Sequence, residues 1–203
     1  NTISGNLAHG ILMTADYACD ENLIFGNGIG VSPAGNVAIS NNYHGILLSS
    51  GNSNRIGSVA LPRNIISGNG RTGIRAEGLL TRHNTIVNNY IGTDINGLAA
   101  IPNKQEGIIV ENGRDLAIGD PAGGGNLISG NQGQGIYVIG NNTLDLSIQN
   151  NIIGLDITGT NSLANTGTGL VLQSGTNVAV GVAGRNVISG NGIDGIFSDY
   201  EVI

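Results

Sequence analysis

The feature that most constrains this chain is the phrase Asn-x-Ile-Ser-Gly-Asn, which recurs at 1–6, 64–69, 126–131 and 186–191, at offsets of 63, 62 and 60 residues. Other signals keep the same phase. A Gly-Ile pair follows each phrase, at Gly10-Ile11, Gly73-Ile74, Gly135-Ile136 and Gly195-Ile196. A second such pair falls in mid-unit, at Gly45-Ile46, Gly107-Ile108 and Gly169-Leu170. Ile-Gly steps precede it at Ile29, Ile91 and Ile153, and Ile-Gly or Val-Gly steps follow it at Ile56, Ile118 and Val180. A fixed period of this length is the mark of a repeat architecture, in which each unit buries its apolar face against the next.

The units are 1–63, 64–125, 126–185 and a partial fourth, 186–203, all within one domain. Successive Gly-Ile (or Gly-Leu) pairs lie 35, 28, 34, 28, 34 and 26 residues apart. The alternation predicts a long and a short coil per unit and about seven coils in all; three coils of about 20 residues per unit is the competing division.

Helices are excluded by composition. The chain holds 35 Gly and 28 Asn in 203 residues, so every stretch long enough for a helix is interrupted, and each helical Gly costs about 1 kcal/mol relative to Ala. The apolar residues instead alternate with polar ones over three to five positions, as in Asn84-Thr85-Ile86-Val87-Asn88-Asn89. That is the period of a short strand with one buried face. Gly and Asn tolerate the positive φ of sharp corners. Since equivalent strands return in the same sense about every 30 residues, stacking makes parallel sheets rather than hairpins, with a rise of about 4.8 Å per coil. Ile3, Ile66, Ile128 and Ile188 are expected to form one interior ladder, and Ile11, Ile74, Ile136 and Ile196 another, each interleaved with residues of the intervening coils. Asn6, Asn69, Asn131 and Asn191, and in a second set Asn27, Asn89 and Asn151, are expected either to stack as amide columns or to serve as plain turn residues. A buried amide needs partners for its donors and its acceptor.

This pattern, Asn-x-Ile-Ser-Gly-Asn-x-x-x-Gly-Ile followed by Asn-x-Ile-x-x-Asn-x-Ile-Gly, resembles the right-handed parallel β-helix repeat of bacterial secreted and surface proteins, the pectate-lyase-like β-solenoids, over essentially the whole chain. The resemblance implies an all-β right-handed solenoid, export to the cell surface or beyond, and a polysaccharide or surface role. Fold alone does not assign an activity.

Net charge and composition narrow the partners. A net charge of −6 with only eight Lys and Arg leaves no basic stripe for nucleic acid. No apolar run approaches the length of a membrane span. Cys19 is alone, so no internal disulfide forms. Acids recur without clustering tightly: Asp94 and Asp156 hold equivalent positions two coils apart, where the first unit has Ser32. Turn capping is the expected role of both, with weak Ca²⁺ or glycan contact as the alternative. Asp16, Asp20 and Glu21, and in the matching loop Asp199 and Glu201, are read as solvated loop charge. Arg71, Arg75 and Arg82 surround Glu77, giving a small basic spot. Asp94, Asp156, Arg71 and Arg75 are therefore the candidate binding residues for a glycan or cation. No catalytic set, metal set or cofactor motif is found.

His9, His44 and His83 show no metal-ligand spacing, and His9 and His44 fall at a position that varies between coils, which reads as exposed. Asn141-Asn142-Thr143 is a lone glycosylation sequon. Units of near-equal length with no deviant coil favour a structural or adhesive module of an exported surface or filament protein. The alternatives are a polysaccharide-active enzyme (lyase, hydrolase or epimerase) and a glycan-binding module. Because neither end resembles a cap, the chain is expected to be a segment of a longer repeat protein or to self-associate end to end.

Overall fold

The structure, a computed structural model, describes residues 1–14 and 19–199. Among them there is no helix. The chain winds as an all-β parallel solenoid in which three sheets run along the axis. Two sheets have seven strands each, and the third has six, with a two-stranded piece beside it. Every pairing between strands is parallel, and each strand meets the equivalent strand of the coil before and after. Among the described residues the third sheet has one strand fewer than the other two, and the solenoid makes about five turns where seven coils were expected.

The interior is built by like residues lying over like. In the first sheet the register aligns Ile3, Ile29, Ile66, Ile91, Ile128, Ile153 and Ile188. In the second it aligns Ile11, Ile46, Ile74, Ile108, Ile136, Leu170 and Ile196. In the third it aligns Ile24, Ile56, Ile86, Ile118, Ile148 and Val180. Most of these side chains are fully buried in one continuous core. Stacked β-branched side chains keep one rotamer and pack flat on the next rung, so a core almost without aromatics still fills.

The repeated hexapeptide is explained residue by residue. Its Ile enters the first-sheet ladder. Its Ser ties one coil to the next: Ser67 Oγ accepts from Gly92 N at 3.0 Å and donates to Thr93 O at 2.8 Å, and Ser129 does the same with Gly154 and Leu155. Its closing Asn belongs to a column in which each side-chain Nδ2 donates to the Oδ1 of the next. The column runs Asn6, Asn41, Asn69, Asn103, Asn131, Asn165, Asn191, with steps of 2.7–2.9 Å. The second amide hydrogen of each interior member goes to an Ile carbonyl, as from Asn103 to Ile66 O at 2.9 Å. Its opening Asn stands in another column, Asn1, Asn27, Asn64, Asn89, Asn126, Asn151, Asn186. A third column, Asn22, Asn54, Asn84, stops after three members. From there the equivalent positions are Leu116, Leu146 and Val178, which join the apolar core. Fully paired amides and aliphatic side chains thus occupy the same corner in different coils, and both satisfy the rule that nothing polar be buried unpaired.

Two glycine requirements differ in kind. Gly92 has φ +91°, and a Cβ there would lie 2.4 Å from Asn131 Oδ1, inside the amide column. Gly73 has ordinary φ, but a Cβ would lie 2.8 Å from Ile91 Cγ2 and 2.7 Å from Gly107 O. The first is needed for conformation as well as space, and the second for space alone.

The long coils carry an addition that the strand pattern alone does not show. After each first-sheet strand of a long coil the chain makes a small hairpin closed by an antiparallel bridge: Val31 with Ala38, Thr93 with Ala100, Leu155 with Ser162. These hairpins stack directly on one another across the short coil, through Ile95 N to Gly35 O at 2.9 Å and Ile157 N to Gly97 O at 3.0 Å. They roof a second apolar cluster of Val31, Ile65, Tyr90, Ile101 and Leu127 outside the first sheet. The 60-residue unit is therefore one hairpin-bearing coil plus one coil without, and the hairpin accounts for much of the extra length of the long coil.

Replacing Ile66 by Ala should lower unfolding stability by about 2–5 kcal/mol, because a fully buried rung loses contacts above and below. Asn103→Ala should cost about 1–3 kcal/mol for each neighbouring amide group left without a partner. Leu98→Ala, on an exposed hairpin position, should stay within about 0.5 kcal/mol. Urea denaturation of the three variants measures this order.

Candidate functional site

The outer face of the second sheet holds the densest set of charged and aromatic side chains. Its outward column reads Leu12, Leu47, Arg75, Ile109, Tyr137, Val171, Phe197 from coil to coil. Arg75 is the one charged member. Its guanidinium donates from Nε to Glu77 Oε2 at 2.5 Å and from Nη2 to Glu111. Glu77 and Glu111 are register partners on adjacent strands, so one arginine bridges two stacked carboxylates. The pairs are a quarter to a third exposed and therefore add little stability. What they do is hold two like charges side by side. One coil further on, Tyr137 donates to Gln173 Oε1. Burial pushes the Tyr137 phenol up, and Glu106, Asp199 and Glu111 add to the shift, so it stays neutral and serves as a donor.

At the edge of this face lies an aromatic cluster. The His9 and His44 rings stack with centroids 5.3 Å apart and planes 11° from parallel. Tyr43 packs against His9 at 5.4 Å, and the Arg71 guanidinium lies 4.5 Å from the Tyr43 ring centre. His44 is 6% exposed, and its Nδ1, like that of His9, has no hydrogen-bond partner among the described residues. This corrects the reading of His44 as a surface residue, while His9 is half-buried. Variation along the column did not fix exposure: Thr72 and Thr168 at the same position are buried, Glu106 and Gln134 are half-buried, and Asp194 is exposed. Burial pushes the His44 imidazole down to about 4, with His9, Arg75 and Arg71 adding in the same direction and Glu77 opposing. Parallel rings direct their nitrogen lone pairs side by side, not toward a common point. Among the described residues no group of three or more His, Cys, Asp or Glu is arranged to hold a metal ion.

The four candidate residues from the sequence fall in two separate places. Arg71 and Arg75 both act electrostatically on His44 at the second sheet. Asp94 and Asp156 sit in the hairpins that follow the first sheet. Asp94 Oδ1 accepts from Leu98 N at 2.9 Å and Ala99 N at 3.1 Å, and Oδ2 from Asn96 at 3.2 Å. Asp156 accepts from Thr158 Oγ1 at 2.6 Å and Asn161 Nδ2 at 2.8 Å. Hydrogen bonds from the Thr158 and Asn161 side chains hold its carboxyl at about 2, against an opposing effect of burial. Each carboxylate closes its own turn, as Asx residues do. Arg82 turns elsewhere, donating to Leu79 O at 2.9 Å. Asp20 accepts from Asn52 N at 2.7 Å, and Asp16 and Glu201 lie outside the described residues. The searched residues contain no helix long and apolar enough to cross a membrane.

The class defined by this architecture is the parallel β-solenoid. Compared with family models, curated proteins and solved structures, the chain finds no match in any of the three.

His44 gives a pH test. Its folded pKa lies below the ordinary 6.5, so the unfolded chain takes up the proton first as pH falls. Its contribution is fully present above pH 6.5 and is lost progressively as pH drops toward about 4. The melting temperature of the parent chain should therefore fall more between pH 7 and pH 4.5 than that of His44→Gln. Equal falls would show that His44 does not titrate with folding.

Proposed function

We propose that this chain is a non-catalytic structural or adhesive solenoid module of an exported cell-surface or filament-forming protein, of the pectate-lyase-like, bacterial secreted type that its repeat resembles. Its winding is taken as right-handed, the hand that parallel crossover connections almost always adopt. The observation that carries this reading is the continuity of the ladders. Over the described residues, three sheets and two unbroken amide columns tie each coil to the next. Most of the charged candidates are already committed, which supports it too: Arg75 to Glu77 and Glu111, and Asp94 and Asp156 to their own turns. A stack of seven strands spans about 30 Å, each coil adding about 4.8 Å to a rod that bends little. The partner of such a module would be a polysaccharide or another surface component.

Excision of residues 64–125, one two-coil unit, should leave a folded rod shortened by about 10 Å, measured by small-angle scattering. Neither form should release reducing or unsaturated ends from a panel of acidic polysaccharides, and protease added to intact cells of the source organism should degrade the protein. Turnover by the parent that is lost on excision would establish an enzyme instead. Resistance to external protease would place the protein inside the cell.

A further inference from the structure

Beyond the scaffold reading, one break in the repeat lies outside the first sheet. The outward column there reads Gly28, Ile65, Tyr90, Leu127, Ile152, Val187, so Tyr90 is its one aromatic member. The Arg63 guanidinium carbon sits 4.1 Å from the centre of the Tyr90 ring. Together they form one side of a cleft of about 240 Å³ between the hairpin stack and the loop at 120–125. Arg63 makes no salt bridge to a carboxylate among the described residues. Asp94, whose charge reaches Tyr90, is occupied by Leu98 and Ala99 of its own turn.

The rest of the lining specifies more than an anion. Ile152 and Ile157 give an aliphatic wall over the buried Leu127. Asn88 and Asn150 each donate one side-chain N–H, to Ser58 O and Asp120 O, at 2.6 Å and 2.7 Å. Their Oδ1 atoms accept from no donor among the described residues, which leaves acceptor capacity on two residues that line the cleft. A sugar ring would need an open aromatic face, and Tyr90 is 7% exposed with Arg63 over it. The volume is below the roughly 300–1,000 Å³ of pockets for drug-sized ligands, so it suits one residue, not a chain.

We propose that this cleft binds a carboxylate adjoining an aliphatic side chain and an N–H donor, the chemistry of a peptide C terminus ending in Leu, Val or Ile. Arg63 pairs with the carboxylate, Ile152 and Ile157 receive the side chain, and Asn88 or Asn150 accepts the peptide N–H. Capture of terminal carboxylates is an established mode of peptide recognition.

The test is an NMR titration of the whole ¹⁵N-labelled chain with N-acetyl-leucine, N-acetyl-leucinamide and galacturonic acid. N-acetyl-leucine should shift the Gly123 and Gly125 amides and Arg63 Nε. The amide, which lacks the charge, should bind about tenfold or more weakly, the worth of a hydrogen bond to a charged group. Arg63→Gln should weaken N-acetyl-leucine to the same degree. Ile157→Asp, which keeps Arg63 but places a negative charge on the exposed wall, should do so too. No shift at the cleft, equal binding of the acid and its amide, or preference for galacturonic acid would each overturn the proposal. The comparison of ligands on the parent chain decides even where a variant fails to fold.

Discussion

The hydrogen bond on which the rest of this structure depends is the one from the amide of one asparagine to the amide of the asparagine one coil further along. A side-chain amide inside a protein is a liability unless its donors and acceptor are all met. Here the column meets them by repetition. Each Oδ1 receives the Nδ2 of the preceding coil, and each Nδ2 reaches the next Oδ1 and a backbone carbonyl, as in Asn103 between Asn69 and Asn131. This holds only if every coil has the same rise and phase. The columns therefore enforce register on the aliphatic ladders, which by themselves would tolerate slippage because one Ile resembles another.

The same register explains how the molecule does without aromatic packing. A ladder of Ile needs only an equivalent residue above and below, and the parallel sheets supply it at a fixed spacing. The substitution of Leu116, Leu146 and Val178 for the third amide column shows that polar and apolar solutions are interchangeable at one corner, provided each is complete. Surface chemistry follows a different logic. On the outside of the second sheet, Arg75 neutralises stacked Glu77 and Glu111, and on the outside of the first, Arg63 covers Tyr90 with no carboxylate to meet it among the described residues. The first arrangement is closed, and the second leaves a charge available.

Much of the fold was legible because like-on-like stacking writes its period into the chain. The Asn-x-Ile-Ser-Gly-Asn phrases and Gly-Ile pairs mark the strands that align in register. Less visible were Asn41, Asn103 and Asn165, which complete the column begun by Asn6 and Asn69, because their neighbours in sequence do not repeat the phrase. His44 was misread for a related reason. Variation along its column was equated with exposure, whereas burial there changes from coil to coil: His44, Thr72 and Thr168 are buried and Asp194 is exposed. The pairing of Arg63 with Tyr90 left no trace in sequence, since Arg63 lies in no motif and Tyr90 holds a variable position of one.

By itself the sequence determined a stack of short parallel strands, its period, and the residues that form the interior rows. Those depend on one dimension only: what recurs, and how often. The tertiary structure decided which surface groups meet, that Asp94 and Asp156 close their own turns, and that hairpins bridge alternate coils to wall a cleft. The physical reason is that interior neighbours are set by the repeat distance, while exterior neighbours are set by the depth and direction of loops, which backbone hydrogen bonds between non-adjacent coils hold in place.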